Sequence, residues 1–141
     1  MLNAGKLLSF GLNLVRPIST SPASMHIMKL TRLKVVDNTI LGKQAEADGK
    51  PAKCIHVYNK KGVGTLGDKV MVAIKGQKKK AVIVGVKKSQ RALLPRFDSN
   101  NIVLIDNAGN PLGTRIHAPI PSFLRGRAEY NKLIAIATSF V

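Results

Sequence analysis

The stretch Val70-Met71-Val72-Ala73-Ile74-Lys75-Gly76-Gln77-Lys78-Lys79-Lys80-Ala81-Val82-Ile83-Val84-Gly85-Val86 decides the fold class. Val70, Val72 and Ile74 alternate with Met71 and Ala73. Val82, Val84 and Val86 alternate with Ala81, Ile83 and Gly85. Both runs have the period of two expected of strands. Gly76-Gln77 marks a turn between them, so the pair reads as a hairpin with Gly76 to Lys80 at its tip.

Outward from this hairpin the same pattern recurs. Ile55 and Val57 alternate with Cys54, His56 and Tyr58, and Leu30 to Asp37 and Asn101 to Asp106 supply two further candidate strands. Turn formers separate them: Gly62-Val63-Gly64, Gly67-Asp68, Asp98-Ser99-Asn100 and Asn107-Ala108-Gly109-Asn110. Five short strands with β-branched residues on both faces predict a mainly β protein, a small closed five-stranded barrel of OB-like or meander type, because closure removes exposed edges. Past Pro111 the pattern changes. Pro119 and Pro121 impose an extended connection, Pro121-Ser122 opens a short helix, and Leu133, Ile134 and Ala137 place a second over Glu129 to Ala137, docked on the barrel. No internal repeat divides residues 28–141, which read as one domain.

The chain has 141 residues, 45% of them apolar, enough for a packed core that needs neither metal nor disulfides. Cys54 is the single cysteine, so an internal disulfide and a thiolate metal site are both excluded. No apolar run approaches the roughly 18 residues of a spanning helix, and membrane insertion is not expected.

Residues 1–24 differ in kind. They hold Lys6 and Arg16, no acid and five Ser/Thr, and Leu8, Leu12 and Val15 share one helical side. This is the composition of a mitochondrial presequence, with cleavage expected near Ile18 to Ser19. A secretory signal fits less well, because Ser9, Gly11 and Asn13 interrupt the apolar run.

Charge is the dominant functional signal: 23 Lys+Arg face 7 Asp+Glu, a net charge of +16 and a pI near 10.5. Lys75, Lys78, Lys79, Lys80, Lys87, Lys88, Arg91 and Arg96 fall within 22 residues that contain no acid. Such a surface attracts a polyanion, and these eight are the candidate RNA-binding residues. Trp is absent, and several of Tyr58, Phe97, Phe123, Tyr130 and Phe140 sit among apolar residues as core, so phosphate contact with a folded RNA is favoured over base stacking. The competing reading is a mitochondrial nucleoid protein that binds single-stranded DNA.

Enzyme signatures do not assemble. Each of Asp37, Asp48, Asp68, Asp98 and Asp106 adjoins a turn former, which turn capping explains. Cys54 and His56, two apart on a strand, are expected to share a face, yet no third ligand or orienting acid completes a site. Gly62-Val63-Gly64-Thr65-Leu66-Gly67 satisfies G-x-G-x-x-G, but a strand follows it, so no helix N-terminus meets a phosphate. No catalytic residue, metal or cofactor is expected.

In their order, Val35-Val36-Asp37-Asn38, Cys54-Ile55-His56-Val57, Gly62-Val63-Gly64 with Gly67-Asp68, Ala81-Val82-Ile83-Val84, Arg96-Phe97-Asp98-Ser99-Asn100 and Pro111-Leu112-Gly113-Thr114-Arg115-Ile116 resemble the universal large-subunit ribosomal protein numbered fourteen, from about residue 28 to the last. With the leader, the chain resembles the mitochondrial branch, in the matrix. The resemblance implies a five-stranded barrel with small C-terminal helices, binding to large-subunit rRNA, and neighbours in the counterparts of the third and nineteenth large-subunit proteins. It also implies a face at Thr114, Arg115 and Lys132 that bridges to small-subunit rRNA and docks a ribosome-silencing factor. Alternatives at these positions are an Arg115–Glu129 surface ion pair and a solvated Lys132. Compared with bacterial members, the hairpin between Ile74 and Ala81 is short. The segment from Thr39 to Lys50 reads as a longer loop whose Glu46 and Asp48 would repel phosphate and turn it toward protein or solvent.

Overall fold

Strand pairing runs in chain order and then returns to its start. In the computed structural model, which describes residues 25–141, β1 (Arg32–Val35), β2 (Ala52–Val57), β3 (Lys69–Ile74), β4 (Gln77–Gly85) and β5 (Asn101–Ile105) pair antiparallel in succession. Parallel pairing of Lys34 with Asn101 and of Val35 with Ile102 closes the barrel. The expected five strands are therefore present as a meander, and closure pairs every edge. The expected leader and its cleavage site lie outside the described residues.

The hairpin turn is tighter than the sequence reading placed it. Ile74 stands opposite Gln77, leaving only Lys75 (φ 48°) and Gly76 (φ 76°) between the strands. Positive φ at both central residues is the turn whose twist matches a hairpin, and Gly76 supplies the second without strain. Lys78, Lys79 and Lys80 are thus not a tip. They are strand residues opposite Ala73, Val72 and Met71.

Two cores explain why β4 and β5 read as apolar on both faces. Leu33, Ala52, Cys54, Val57, Val70, Val72, Ile74, Ala81, Ile83, Ile102 and Leu104 fill the barrel. Val82, Val84, Val103 and Ile105 point outward and are covered by Ile116, Ile120, Leu124, Tyr130 and Leu133 from the C-terminal segment. That segment holds two 3-10 turns, Ser122–Gly126 and Ala128–Tyr130, and a short helix at Asn131–Ala135, so part of the helix expected over Glu129 to Ala137 is a 3-10 turn. The buried Tyr130 hydroxyl donates to the Gly67 carbonyl at 2.6 Å and ties the covering segment to the barrel.

The stretch from Thr39 to Lys50 is not a loop. It contains helix α1 (Ile40–Ala47), and the later helix at Asn131–Ala135 is α2. Thr39 caps α1, its Oγ1 accepting from Gly42 N at 3.2 Å. Apolar patterning missed the helix because its buried face is only Gly42 and Ala45, with Leu41 half-buried, while Ile40 is exposed. Gly42 lets α1 lie close to β1: a Cβ there would stand 2.7 Å from Val35 Cγ1. Glu46 and Asp48 lie at the surface as paired charges. Glu46 pairs with Lys34 at 3.2 Å, and Asp48 pairs with Lys75.

Candidate nucleic-acid interface

Register decides which cations stand together. On the barrel's outer face Arg32 lies opposite Lys53, Lys53 opposite Ala73, and Ala73 opposite Lys78. One cross-strand row thus carries three cations and one methyl group. The next row runs His56, Met71, Lys80, Ile105. Like charges directly opposite each other on paired strands destabilise them, so the Arg32–Lys53 rung is a cost that an anion bound there would offset.

Five of the seven carboxylates are engaged elsewhere. Lys69 Nζ donates to Glu129 at 2.7 Å, and Lys34 and Lys75 hold Glu46 and Asp48. The hydrogen bond from Lys75 keeps the Asp48 carboxyl below the usual range, and that from Lys69 does the same for Glu129. Asp37 and Asp68 accept from nearby backbone and side-chain donors. Among the described residues, Lys53, Lys78, Lys79, Lys80, Lys87, Lys88, Arg91 and Arg96 have no carboxylate within ion-pair distance. Asp106 shares a groove of about 140 Å³ with Lys78, Lys79 and Lys80 and tempers the potential on that side. The β2 side, with Lys53 and Arg32, is the more positive.

The eight sequence-predicted RNA-binding residues separate into three groups. Lys78 joins the Arg32–Lys53 row and Lys80 the row beside it, both facing outward, whereas Lys79 lies opposite the interior residue Val72; Lys79 and Lys80 are both half-buried. Lys75 is held by Asp48. Lys87, Lys88, Arg91 and Arg96 belong to the connection after β4, beyond the other end of that strand. Phe97 anchors this connection in the barrel core, Arg96 Nε donates to the Lys87 carbonyl at 3.2 Å, and Lys87 N donates to Asn100 Oδ1 at 2.9 Å.

Thr114 and Arg115 are exposed on a segment fixed at both ends. Ile116 is buried beneath the C-terminal cover and its N–H donates to Ile136, while the Arg115 carbonyl accepts from Asn38 N at 2.9 Å. Gly113 passes so close to Asp37 that a Cβ would meet the Asp37 Cβ at 3.0 Å. Lys132 on α2 donates to Asn110 Oδ1 at 2.8 Å, which holds α2 beside the 110–116 segment. Glu129 is bound by Lys69, so the alternative Arg115–Glu129 pair does not form.

The Cys54–His56 pair is taken apart by a bulge. Cys54 faces Val72 and His56 faces Met71, leaving Ile55 as an extra residue, so Cys54 is buried in the barrel and His56 is exposed on its surface. The one-residue insertion flips the alternation, and the expectation of a shared face is corrected. Burial pushes the Cys54 thiol up. The glycine run is structural: a Cβ at Gly64 would stand 2.5 Å from Ile83 Cδ1, and β3, not a helix, follows. Among the described residues no three His, Cys, Asp or Glu side chains gather as a metal site, and no helix is long and apolar enough to cross a membrane.

The family model for ribosomal protein L14p/L23e matches residues 26–141. The chain belongs to this family. It is also 58% identical over 127 residues to large ribosomal subunit protein uL14m of Danio rerio, a match covering 89% of each chain. Members of the L14p/L23e family are structural constituents of the ribosome rather than enzymes. Within this L14p/L23e fold, sequence reading missed Arg32 and Lys53. They are isolated bases on separate strands, and only the pairing of Arg32 with Lys53 brings them together. The aromatics divide: Phe97 and Tyr130 are core as expected, while Tyr58 and Phe123 are exposed.

Proposed function

We propose that this chain is a structural, rRNA-binding protein of the mitochondrial large ribosomal subunit, in the matrix. Phosphates would follow the two adjacent outer rows that hold Arg32, Lys53 and Lys78 in one and Lys80 in the other, with Lys87, Lys88, Arg91 and Arg96 contacting RNA beyond the end of β4. The observation that carries this reading is the unneutralised Arg32–Lys53 rung. Similarity to uL14m supports the organelle, and residues 1–24 would be its cleaved presequence. Lys79 and Lys75 contribute less, since one lies opposite the interior residue Val72 and the other is paired.

On the same reading, Thr114, Arg115 and Lys132 form the subunit-interface face. There Arg115 would take a phosphate of small-subunit rRNA bidentately, and a ribosome-silencing factor would compete for the same surface. The third and nineteenth large-subunit counterparts would be its protein neighbours.

Three measurements test this. Lys53→Glu with Lys78→Glu, both exposed and outward, should reduce co-sedimentation with large subunits; undiminished incorporation would remove the row from the RNA interface. Arg115→Glu should spare incorporation while weakening subunit joining and factor docking, and normal joining and docking would remove that face. Release of the wild-type chain by DNase rather than RNase would favour the nucleoid alternative.

A further inference from the structure

The outer side of β2 carries an aromatic pair that neither core uses. After the bulge at Ile55 the alternation resumes, with His56 outward, Val57 in the barrel and Tyr58 outward again. The Tyr58 N–H donates to the Lys69 carbonyl at 3.0 Å, so Tyr58 keeps to the track of the strand. Tyr58 is 45% exposed, and its ring centroid stands 5.3 Å from that of His56 with the two planes at 84°. In this edge-to-face arrangement each ring keeps a face that its neighbour does not cover.

Cations stand at both ends of the pair. Lys53 is the preceding outward lysine on β2, and Lys60 and Lys61 follow Tyr58 in a turn; all three are exposed. Asn59 fixes that turn: its Nδ2 donates to the Val63 carbonyl at 2.6 Å and to Asp68 at 3.0 Å, and its Oδ1 accepts from Gly62 N at 2.7 Å. The carboxylates beside the turn are occupied. Asp68 also accepts from the N–H and hydroxyl of Thr65, and Glu129 is held by Lys69. Among the described residues no carboxylate pairs with Lys53, Lys60 or Lys61.

We propose that His56 and Tyr58 seat one unpaired base of an RNA, stacked on Tyr58, with the flanking phosphates on Lys53 at one end and on Lys60 and Lys61 at the other. Scarce aromatics exclude a run of stacked bases but not a single one. Charge selects a polyanion, and the free ring face selects a nucleotide over an acidic peptide: each nucleotide brings a flat π surface and a phosphate on the same sugar, which is the order in which rings and lysines follow one another here. This seat rests on the rRNA-binding reading and adds to it the kind of RNA bound, one with an extruded nucleotide rather than an unbroken duplex. The two can fail separately, because the phosphate rows need no unpaired base.

The test uses the purified full chain and two fluorescein-labelled RNA hairpins with the same number of phosphates. One adenine stands opposite uridine in the first and opposite an abasic position in the second, so only the second leaves it unpaired. Fluorescence anisotropy at one fixed salt concentration should show the unpaired hairpin binding about tenfold more tightly, the gain of one base–aromatic stack over a common electrostatic attraction. Tyr58→Leu, an exposed position outside both cores, should abolish the preference, and Tyr58→Phe should retain it. Lys60→Gln with Lys61→Gln should weaken both hairpins alike. Equal binding of the two hairpins by the wild-type chain would overturn the seat, and a loss of both hairpins alike in Lys53→Gln with Lys78→Gln would then leave the phosphate rows standing. A preference that survives Tyr58→Leu, or a Tyr58→Leu variant that loses both hairpins equally, would also overturn the proposal. So would a glutamate-rich peptide of the same charge that binds as tightly as the unpaired hairpin and depends on Tyr58, because the occupant would then be protein.

Discussion

Asp37 shows how much one side chain can carry. It is 4% exposed; its Oδ1 accepts from the N–H and hydroxyl of Thr39 at 3.1 and 2.6 Å, and its Oδ2 accepts from Leu104 N at 2.8 Å. The Thr39 bonds are the turn cap legible from Asp37-Asn38. The third bond is not, because Leu104 lies on β5 and reaches Asp37 only once the barrel has closed. Asp37→Ala would orphan a buried N–H and loosen the cap of α1, so stability in urea denaturation should fall by about 3 kcal/mol. A loss under about 1 kcal/mol would reduce Asp37 to an ordinary exposed turn residue. At Cys54 and His56, by contrast, a simple alternation misled: one inserted residue, Ile55, reverses which side chains enter the barrel.

At the scale of elements, strands were legible and their neighbours were not. Period-two runs need only residues two apart to agree, which is why β2 to β5 lie close to their expected places. Helix α1 was hidden because its contact with β1 is made by Gly42 and Ala45, which leave little apolar signal. The facing cations of β1 and β2 make a prediction. Lys53→Gln relieves like-charge repulsion across the rung, so the free chain should gain about 0.3 kcal/mol in denaturant unfolding. The same substitution should weaken rRNA binding, and a variant that loses stability while keeping full affinity would contradict the assignment. Opposite signs in the two assays separate a binding residue from a structural one.

For the whole molecule, net charge and surface placement have to be considered together. A charge of +16 establishes attraction to polyanions but leaves open how many contacts form. If the proposed rRNA assignment holds, Arg32, Lys53, Lys78 and Lys80 would make about four phosphate contacts along the outer rows, so a plot of log K for an rRNA fragment against log salt should slope by about −3 to −4. A slope shallower than about −1 would mean that the row binds no RNA backbone.

Composition, alternation, turn chemistry and motif order determined that this chain is a small β-barrel with an acid-poor surface and a place in a ribosomal family, because each depends on residues close in sequence or on a sum over all of them. Tertiary structure alone decided that Arg32 meets Lys53, that Lys75 is neutralised by Asp48, that Asp37 bonds Leu104, and that the C-terminal segment covers β4 and β5. Those are pairings between distant parts of the chain. Strand register and barrel closure set them, and no local pattern of residues encodes which partner will arrive.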